Sequence, residues 1–433
     1  MNAATVALIM FLTLFILLIL RIPVSFSLAL SVLPILFIVP NITPIMLVQR
    51  MMTSYGSFIL LSIPFFLLAA YIMNHSGITK RLINLSQSIV GGFPGGLAHV
   101  NIFVSMLFAG ISGSSNADAA GIGSVLIPAM VEKGYDKKFS VAVTACSSVM
   151  GVIIPPSILM IVWGGTMGSS VSALFLAGFI PGVMIALFQM GLVLLFTIKR
   201  KYPTAEKFSF KNVCINFKQS ILALLTPVII VGGIVGGIVT PTEASVLAVI
   251  YSFIIALFIY KTTSIKDIPG LLLQAGKFAG VVLFAVGTAS IYGWVLAYFK
   301  IPQYAVNLIG PITNSPTLIL LIIASVFLVV GCFMDAVPAI IILGPLLKPL
   351  AELAGINPLH FGIVSVVSLA FGLVTPPYGL CLLISSQIAG INCMHALKEM
   401  GAFLLVMLLV LVLIIVSPDL TLFIPKMLSP DLF

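Results

Sequence analysis

No charged residue interrupts the stretch from Ala3 to Leu20, and runs like it recur from one end of the chain to the other. About 20 apolar residues suffice to cross the roughly 30 Å hydrocarbon core of a bilayer as a helix. A helix also satisfies its own backbone N–H and C=O groups where no water can. Only 7% of the 433 residues are charged, against about 25% in a soluble domain. The 11 acidic and 20 basic residues are too few to cover a soluble surface of this size. The chain therefore reads as an all-α polytopic membrane protein. Ala3 to Leu20 is not a signal peptide, because it lacks a basic leading region and a small-residue cleavage site, and Arg21 follows the apolar run. It reads as the first transmembrane helix.

Candidate spans fall at roughly 3–20, 23–39, 57–73, 138–165, 171–196, 220–239, 243–260, 275–298, 358–390 and 401–423, about ten in all. Two further apolar segments, 97–131 and 315–350, are interrupted near their middles and read as re-entrant helical hairpins. A net charge of +9 points to nucleic acid in a soluble protein, but here its distribution sets orientation. With both hairpins entering and returning on one side, Arg21, Lys80, Arg81, Lys133, Lys137, Lys138, Lys261, Lys266, Lys277 and Lys398 share one face. The cluster Lys199, Arg200, Lys201, Lys207, Lys211 and Lys218 joins them. Only Arg50, Lys300, Lys348 and Lys426 fall on the other. The rich side is expected to be cytoplasmic, which puts the N-terminus in the periplasm.

Two double-proline segments prompt a search for self-similarity. "MGVIIPPSI" (150–158) aligns with "FGLVTPPYG" (371–379) at an offset of 221. Asp118 and Pro128 match Asp335 and Pro345 at 217, and "IPVSFSLAL" (22–30) matches "TPTEASVLA" (240–248) at 218. Three anchors in one order predict two repeats. The first occupies 1–196, with hairpin 97–131 and broken helix 138–165. The second occupies 220–433, with hairpin 315–350 and broken helix 358–390, after a basic cytoplasmic linker at 197–219. Five spans plus one hairpin per repeat is an odd crossing number, so the second repeat is expected upside down. Inverted-topology repeats with helices broken at mid-membrane are the plan of secondary transporters.

Each repeat offers one hairpin tip and one break. "GISGSSNADAAG" (110–121) is small and polar at membrane depth, where irregular backbone survives only against protein or a watery cavity. Prolines 155 and 156 cannot donate to the preceding turn, so the break frees carbonyls. Such an oxygen-rich shell suits Na⁺, and the imidazole and thiolate ligands of softer metals are missing there. The expected first Na⁺ site draws on Gly110, Ser112, Asn116, Gly151, Ile154 and Pro155. The second draws on Gly331, Asp335, Gly372, Thr375 and Tyr378. No cation sits plainly at membrane depth to clamp a carboxylate, so substrate is assigned to Ser114, Ser115, Asn116, Pro156 and Pro377. No cofactor is expected; Na⁺ is the coupling ion.

Asp118 and Asp335 can bind a cation or cap the returning half-helix. The cap is favoured for Asp118, because "NADAAGIGSVLIPAM" reads as a helix start. Glu243, following Pro241, reads as a helix-start residue too. The segment 77–90 has Ile78, Leu82, Leu85 and Ile89 on one face and reads as an amphipathic helix in the cytoplasmic interface, with 301–310 as its outer counterpart. Both are connectors or braces. "GGIVGGIVT" (232–240) spaces Gly232/Gly236 and Gly233/Gly237 for close helix packing or a subunit contact. "GISG" (110–113) matches the serine motif of rhomboid-type intramembrane proteases. A serine nucleophile needs a histidine base nearby; of the four histidines, His360 and His395 lie at or near loop ends, and the matching run in the other half has no serine, so an enzyme is not expected. The five cysteines show no metal-ligand or disulfide spacing.

"GGLAHVNIFVSMLFAGISGSSNADAAGIGSVLIPAM" (95–130), "GYDKKFSVAVTACSSVMGVIIPPS" (134–157), "GGIVTPTEAS" (236–245) and "FGLVTPPYG" (371–379) together cover much of the chain. In them the sequence resembles the large membrane subunit of TRAP (tripartite ATP-independent periplasmic) transporters. Where many members carry "GSAVAD", this chain has "GSSNAD" at 113–118. The resemblance implies an elevator-type ion-transporter-like fold in which hairpins and broken helices form a mobile domain. It also implies Na⁺-coupled import of an organic acid, of the sialic acid or C4-dicarboxylate type, across the bacterial inner membrane. The implied partners are a small four-helix membrane (Q-type) subunit and a periplasmic substrate-binding protein. Because this chain opens on the first large-subunit helix, the small subunit is expected to be a separate chain. The polar tip leans toward sialic acid. A self-sufficient Na⁺/carboxylate symporter or exchanger is the alternative. No GxxxxGK[ST] motif is present, and one charge moved through about 100 mV supplies about 2.3 kcal/mol.

Overall fold

The helices before and after the basic linker follow one succession, seen in a computed structural model that describes residues 3–430 except 201, 207, 311, 312 and 314. Lys201 and Lys207 of the basic cluster lie outside the described residues. The first half runs α1 (Ala3–Ile19), α2 (Val24–Ile38), α3 (Pro44–Tyr55), α4 (Ser62–His75), α5 (Ile78–Val90), α6 (Gly96–Ser112), α7 (Ser115–Glu132), α8 (Lys137–Ser148), α9 (Ile158–Met167) and α10 (Val171–Arg200). The second runs α11 (Phe210–Val235), α12 (Pro241–Ile254), α13 (Ile268–Tyr298), α14 (Ile301–Ile309), α15 (Pro316–Gly331), α16 (Ala336–Leu353), α17 (Pro358–Gly372), α18 (Leu380–Ala389) and α19 (Cys393–Val416), and α20 (Asp419–Leu428) has no counterpart.

The same punctuation recurs in both. α8 and α17 start on the caps Asp136 and Asn357, each accepting from a backbone N–H two residues on. The turns before them close on left-handed Gly134 and Gly355. α9 and α18 end on left-handed Gly168 and Gly390. α5 and α14 both begin after a left-handed residue, Gly77 and Lys300. α12 starts on a capping box in which Thr240 and Glu243 exchange bonds, so Glu243 holds the helix-start role its position implies.

Two expectations shift. The N-cap of α7 is Ser114, not Asp118, while that of α16 is Asp335. These caps stand at the same offset as the double prolines, so Ser114 corresponds to Asp335 and Pro128 to Pro349. Pairing Asp118 with Asp335 matches residue types across one extra helical turn. Gly232, Gly236 and Gly237 serve no close helix packing within the chain, since a Cβ on Gly232 or Gly237 meets nothing within 4 Å. They sit at the C-terminal end of α11, where Gly237 supplies the left-handed residue.

Among the described residues six helices are long and apolar enough to cross a membrane. A seventh counts if α3 and 59–75 form one span bent by 66°. Seven further apolar helices have 10–17 residues. The shortfall from ten long spans has physical causes: the prolines split 137–167 and 358–389, and α2 is only 15 residues. α3 is not among the expected elements; Pro44 starts it after Thr43, and only Leu47 is buried. The surface is that of a membrane protein. In α1, Val6, Met10 and Leu14 are buried while Leu8, Leu12, Phe15 and Ile19 are exposed, so both faces are apolar and only one meets protein.

Two sets of helix contacts stand out, and α13 packing on α16 joins them. α2, α3 and α4 pack on α13, α4 also packs on α12, and α12 on α11. In the other group the two halves interlock: α18 packs on α7 and α8, α16 on α9, and α19 on α8 and α10. α5, buried along Ile78, Leu82 and Leu85 with Ile89 half-buried, lies between α6 and α11. It is more enclosed than a helix lying in an interface.

Candidate functional site

Both breaks lie where prolines deny the preceding turn its donors. The peptide bonds Pro155–Pro156 and Pro376–Pro377 are cis. Among the described residues no backbone N–H bonds to the carbonyls of Ile153, Ile154, Pro155 or Pro156. The same holds for their counterparts in the second half, Val374, Thr375, Pro376 and Pro377. Each break is tied to its hairpin tip by one backbone bond. Ile158 donates to Gly113 at 3.3 Å, and Tyr378 donates to Cys332 at 2.9 Å. Two rows of carbonyls are thus held open by a fold that satisfies its backbone elsewhere.

The first tip presses on the first break. Gly113 is left-handed, and a Cβ there would stand 2.8 Å from the Pro156 carbonyl oxygen. A Cβ on Gly151 would stand 2.6 Å from Oδ2 of Asp118, and one on Gly110 would stand 3.7 Å from the Pro155 carbonyl. Gly110, Gly151, Pro155 and Ser112 therefore come together as expected, and Asp118 joins them. Asp118 accepts a hydrogen bond from the Ser112 hydroxyl. It is fully buried, and among the described residues its Oδ2 has no partner, nor has the Ser115 hydroxyl. Burying an unpaired carboxylate oxygen is costly, so this is the point where the fold most needs a cation or a proton. The Ser112–Asp118 bond also removes the protease geometry, because His99 sits at the other end of α6.

Ile154 offers its carbonyl, while its side chain packs toward Gly182. Asn116 leaves the group: its Oδ1 faces the Cys381 thiol at 3.5 Å, which links the two halves. Asn116 and Ser114 line a small crevice of about 230 Å³ against Tyr71 and Asn74 of α4. Ser115 and Pro156 are buried and line neither this crevice nor the cavity below. The residues assigned to substrate are thus divided, with Pro377 in a separate cavity.

At the second break Gly331 and Gly372 touch backbone to backbone, since a Cβ on Gly372 would stand 2.5 Å from the Gly331 carbonyl carbon. The Thr375 hydroxyl donates to the Phe371 carbonyl at 2.8 Å, which leaves its lone pairs free. Asp335 caps α16 through the Ala336 N–H at 2.7 Å. Pro377 is exposed and Tyr378 half-exposed, and with Asp335 they line a cavity of about 780 Å³. Its opposite wall is the α1–α2 corner and α13, including Arg21, Ser25 and Val282.

One site residue, Arg21, escapes the sequence reading, and for Asp118 the sequence leaves cation ligand and cap both open. Asp118 stands in the first turn behind a better cap, Ser114, and that ordering is the signal that it is free for another role. Arg21 reads as one more cytoplasmic charge; only the tertiary fold turns it toward the second break.

Comparison with known proteins places this geometry. A model of the tripartite ATP-independent periplasmic transporter DctM component matches residues 11–420. The chain is 39% identical to the uncharacterized protein YgiK of Salmonella typhimurium, over 95% of each chain. It is 35% identical to the sialic acid TRAP transporter large permease protein SiaM of Vibrio cholerae, over 94% of this chain and 95% of that one. It is also 35% identical to the C4-dicarboxylate TRAP transporter large permease protein DctM of Pseudomonas aeruginosa, over 86% and 87%. The fold is shared with the YdaH transporter of Alcanivorax borkumensis, with a TM-score of 0.59 at 14% identity over 86% of each chain. The chain is therefore a multi-pass membrane transport protein and not an enzyme, and it belongs to the family of the DctM component, the large permease of tripartite ATP-independent periplasmic transporters.

Proposed function

We propose that this chain imports an organic acid across the bacterial inner membrane in symport with Na⁺, by an elevator movement of the interlocked helices against the α2–α4 and α11–α13 group. The observation that carries the reading is the pair of carbonyl rows at Ile153–Pro156 and Val374–Pro377, the first beside the unpartnered Oδ2 of Asp118. Carbonyl, hydroxyl and carboxylate oxygens without nitrogen or sulfur ligands suit a hard cation. To the first site we assign Gly110, Gly151, the carbonyls of Ile154 and Pro155, Asp118 and Ser112. To the second we assign Gly331, Gly372, the Thr375 hydroxyl, Asp335 and Tyr378.

The two halves are taken as inverted repeats joined by the basic linker, with the N-terminus periplasmic. The basic linker and the α1–α2 corner then face the cytoplasm, as does the cavity between Arg21 and Tyr378. Relatives named for sialic acid and C4-dicarboxylates support an organic acid as substrate. A small Q-type membrane subunit and a periplasmic binding protein complete the assembly.

Uptake by proteoliposomes tests the reading. With the small subunit and binding protein present, a Na⁺ gradient is expected to drive accumulation of N-acetylneuraminate or succinate. Thr375→Ala should weaken the Na⁺ dependence while the protein remains folded. Na⁺-driven uptake without any binding protein would replace this reading with the self-sufficient symporter. Uptake indifferent to Na⁺ would end the coupling assignment.

A further inference from the structure

The α1–α2 corner and the α11–α12 corner are built on the same hydrogen bonds. Arg21 N–H donates to the Leu18 carbonyl at 2.9 Å and Ile22 N–H to Leu17 at 3.1 Å. Gly237 N–H donates to Ile234 at 3.1 Å and Ile238 N–H to Gly233 at 3.0 Å. This is the Schellman ending of a helix, whose closing residue is left-handed and is usually glycine. Gly237 has φ 66° and Arg21 has φ 61°. The first half therefore places arginine where the second places glycine, in a conformation that crowds the Cβ of an L-residue against its own carbonyl. Lys261 and Lys300 share this left-handed backbone, so it is the cavity on which Arg21 lies that gives its strained position a functional meaning.

Arg21 lines the cavity of about 780 Å³ opposite Asp335, Pro377 and Tyr378. Among the described residues no carboxylate lies within ion-pair distance of it. The volume suits a small organic molecule. Among the described residues of the lining, Arg21 is the only base and Asp335 the only acid. Guanidinium matches a carboxylate through two parallel N–H bonds.

We infer that Arg21 is a substrate-binding residue, holding the carboxylate of the organic acid across the cavity from the second break. The inference rests on the transport reading above and extends it to a specific contact. Arg21 belongs to the helices that hold still and Asp335, Pro377 and Tyr378 to those that move. The contact therefore exists only when the moving group stands as it does here, open toward the α1–α2 corner. An anionic substrate at Arg21 and a cation at the break beside Asp335 leave the cavity as neutral as it began, so each favours the other. An uncharged analogue gains nothing from Arg21, which makes the residue a selector for acids.

The test exploits the glycine position. Arg21→Gly relieves the helix ending, so the purified permease with its small subunit should keep or raise its thermal midpoint. Equilibrium binding of labelled N-acetylneuraminate and succinate in Na⁺ buffer should weaken on the order of tenfold to a hundredfold for whichever acid the wild type binds. Arg21→Lys should recover part of it. N-acetylmannosamine, without a carboxylate, should bind wild type and Arg21→Gly alike. Unchanged acid binding in Arg21→Gly, with uptake intact, overturns the inference and leaves the transport reading standing. Loss of co-purified phosphatidylglycerol at unchanged acid binding assigns Arg21 to a lipid headgroup and also overturns it. A wild type that neither binds nor accumulates either acid overturns both.

Discussion

The two double-proline breaks share a backbone and differ in their surroundings. Every residue from Gly151 to Ser157 is buried, whereas Pro377 is exposed and Thr375, Pro376 and Tyr378 are half-exposed. At the first, an acid one turn inside α7 reaches the break and, among the described residues, keeps one oxygen unpartnered. At the second, the acid is spent on capping α16. One device thus serves two ends: a sealed pocket that demands a charge-compensating partner, and an open row of carbonyls beside a cavity. The matching order of helices supplies the frame, and a shift of the acid by one helical turn supplies the division of labour.

The sharpest way to break the comparison is to fill the two glycines. Gly372 stands against backbone, with the Gly331 carbonyl carbon 2.5 Å from a new Cβ. Gly151 meets mainly a side chain, the carboxylate of Asp118 at 2.6 Å, although Ser114 backbone follows at 3.0 Å. Gly372→Ala should therefore cost about 2 kcal/mol or more, as overpacking does. It should lower the thermal midpoint and yield. Gly151→Ala should fold better and lose transport by displacing Asp118. Equal midpoints would show that the first site is as rigid as the second.

Exchanging the acids for their amides comes next in size. Asp118→Asn keeps an acceptor for Ser112 but removes the charge, and the Na⁺ concentration for half-maximal uptake should rise on the order of tenfold. Asp335→Asn keeps the cap, since asparagine caps about as well as aspartate. Its thermal midpoint should barely move and its Na⁺ dependence should change less than that of Asp118→Asn. The reverse order, read from uptake at graded Na⁺, would transfer the charged site to the second break.

Much of this is legible in the sequence because lipid leaves few options. Uncharged runs demand helices, and paired prolines mark the breaks without any contact being known. What stays hidden depends on competition or on distance. Ser114 and Asp118 are both good caps, and which one closes α7 is settled by the left-handed turn at Gly113 packed on Pro156. Residues 44–55 carry too few buried positions to announce a helix, and α3 exists by packing against α13. Arg21 obeys the charge rule so well that the rule conceals its position in a glycine slot. Tyr71 and Asn74 enclose the first tip from α4, with two other helix starts between them in sequence, a pairing no local pattern encodes.

The smallest effect is the control for all of these. Gly134 and Gly355 are matched helix-ending glycines at φ 86° and 66°, each with nothing within 4 Å of a Cβ. With space equal, alanine at either pays only for its left-handed backbone, about 1 kcal/mol. Each single variant should lower the thermal midpoint by the same small amount and leave Na⁺ dependence untouched. The double variant should show the sum, because the two turns share no partners. Both turns close on a left-handed glycine before matching helices, so matched substitutions there separate what the shared frame imposes from what the two breaks add. If the two alanines differ as widely as Gly151→Ala and Gly372→Ala do, the asymmetry belongs to the halves as wholes. If they agree, it belongs to the breaks, and to the one helical turn by which Asp118 and Asp335 part company.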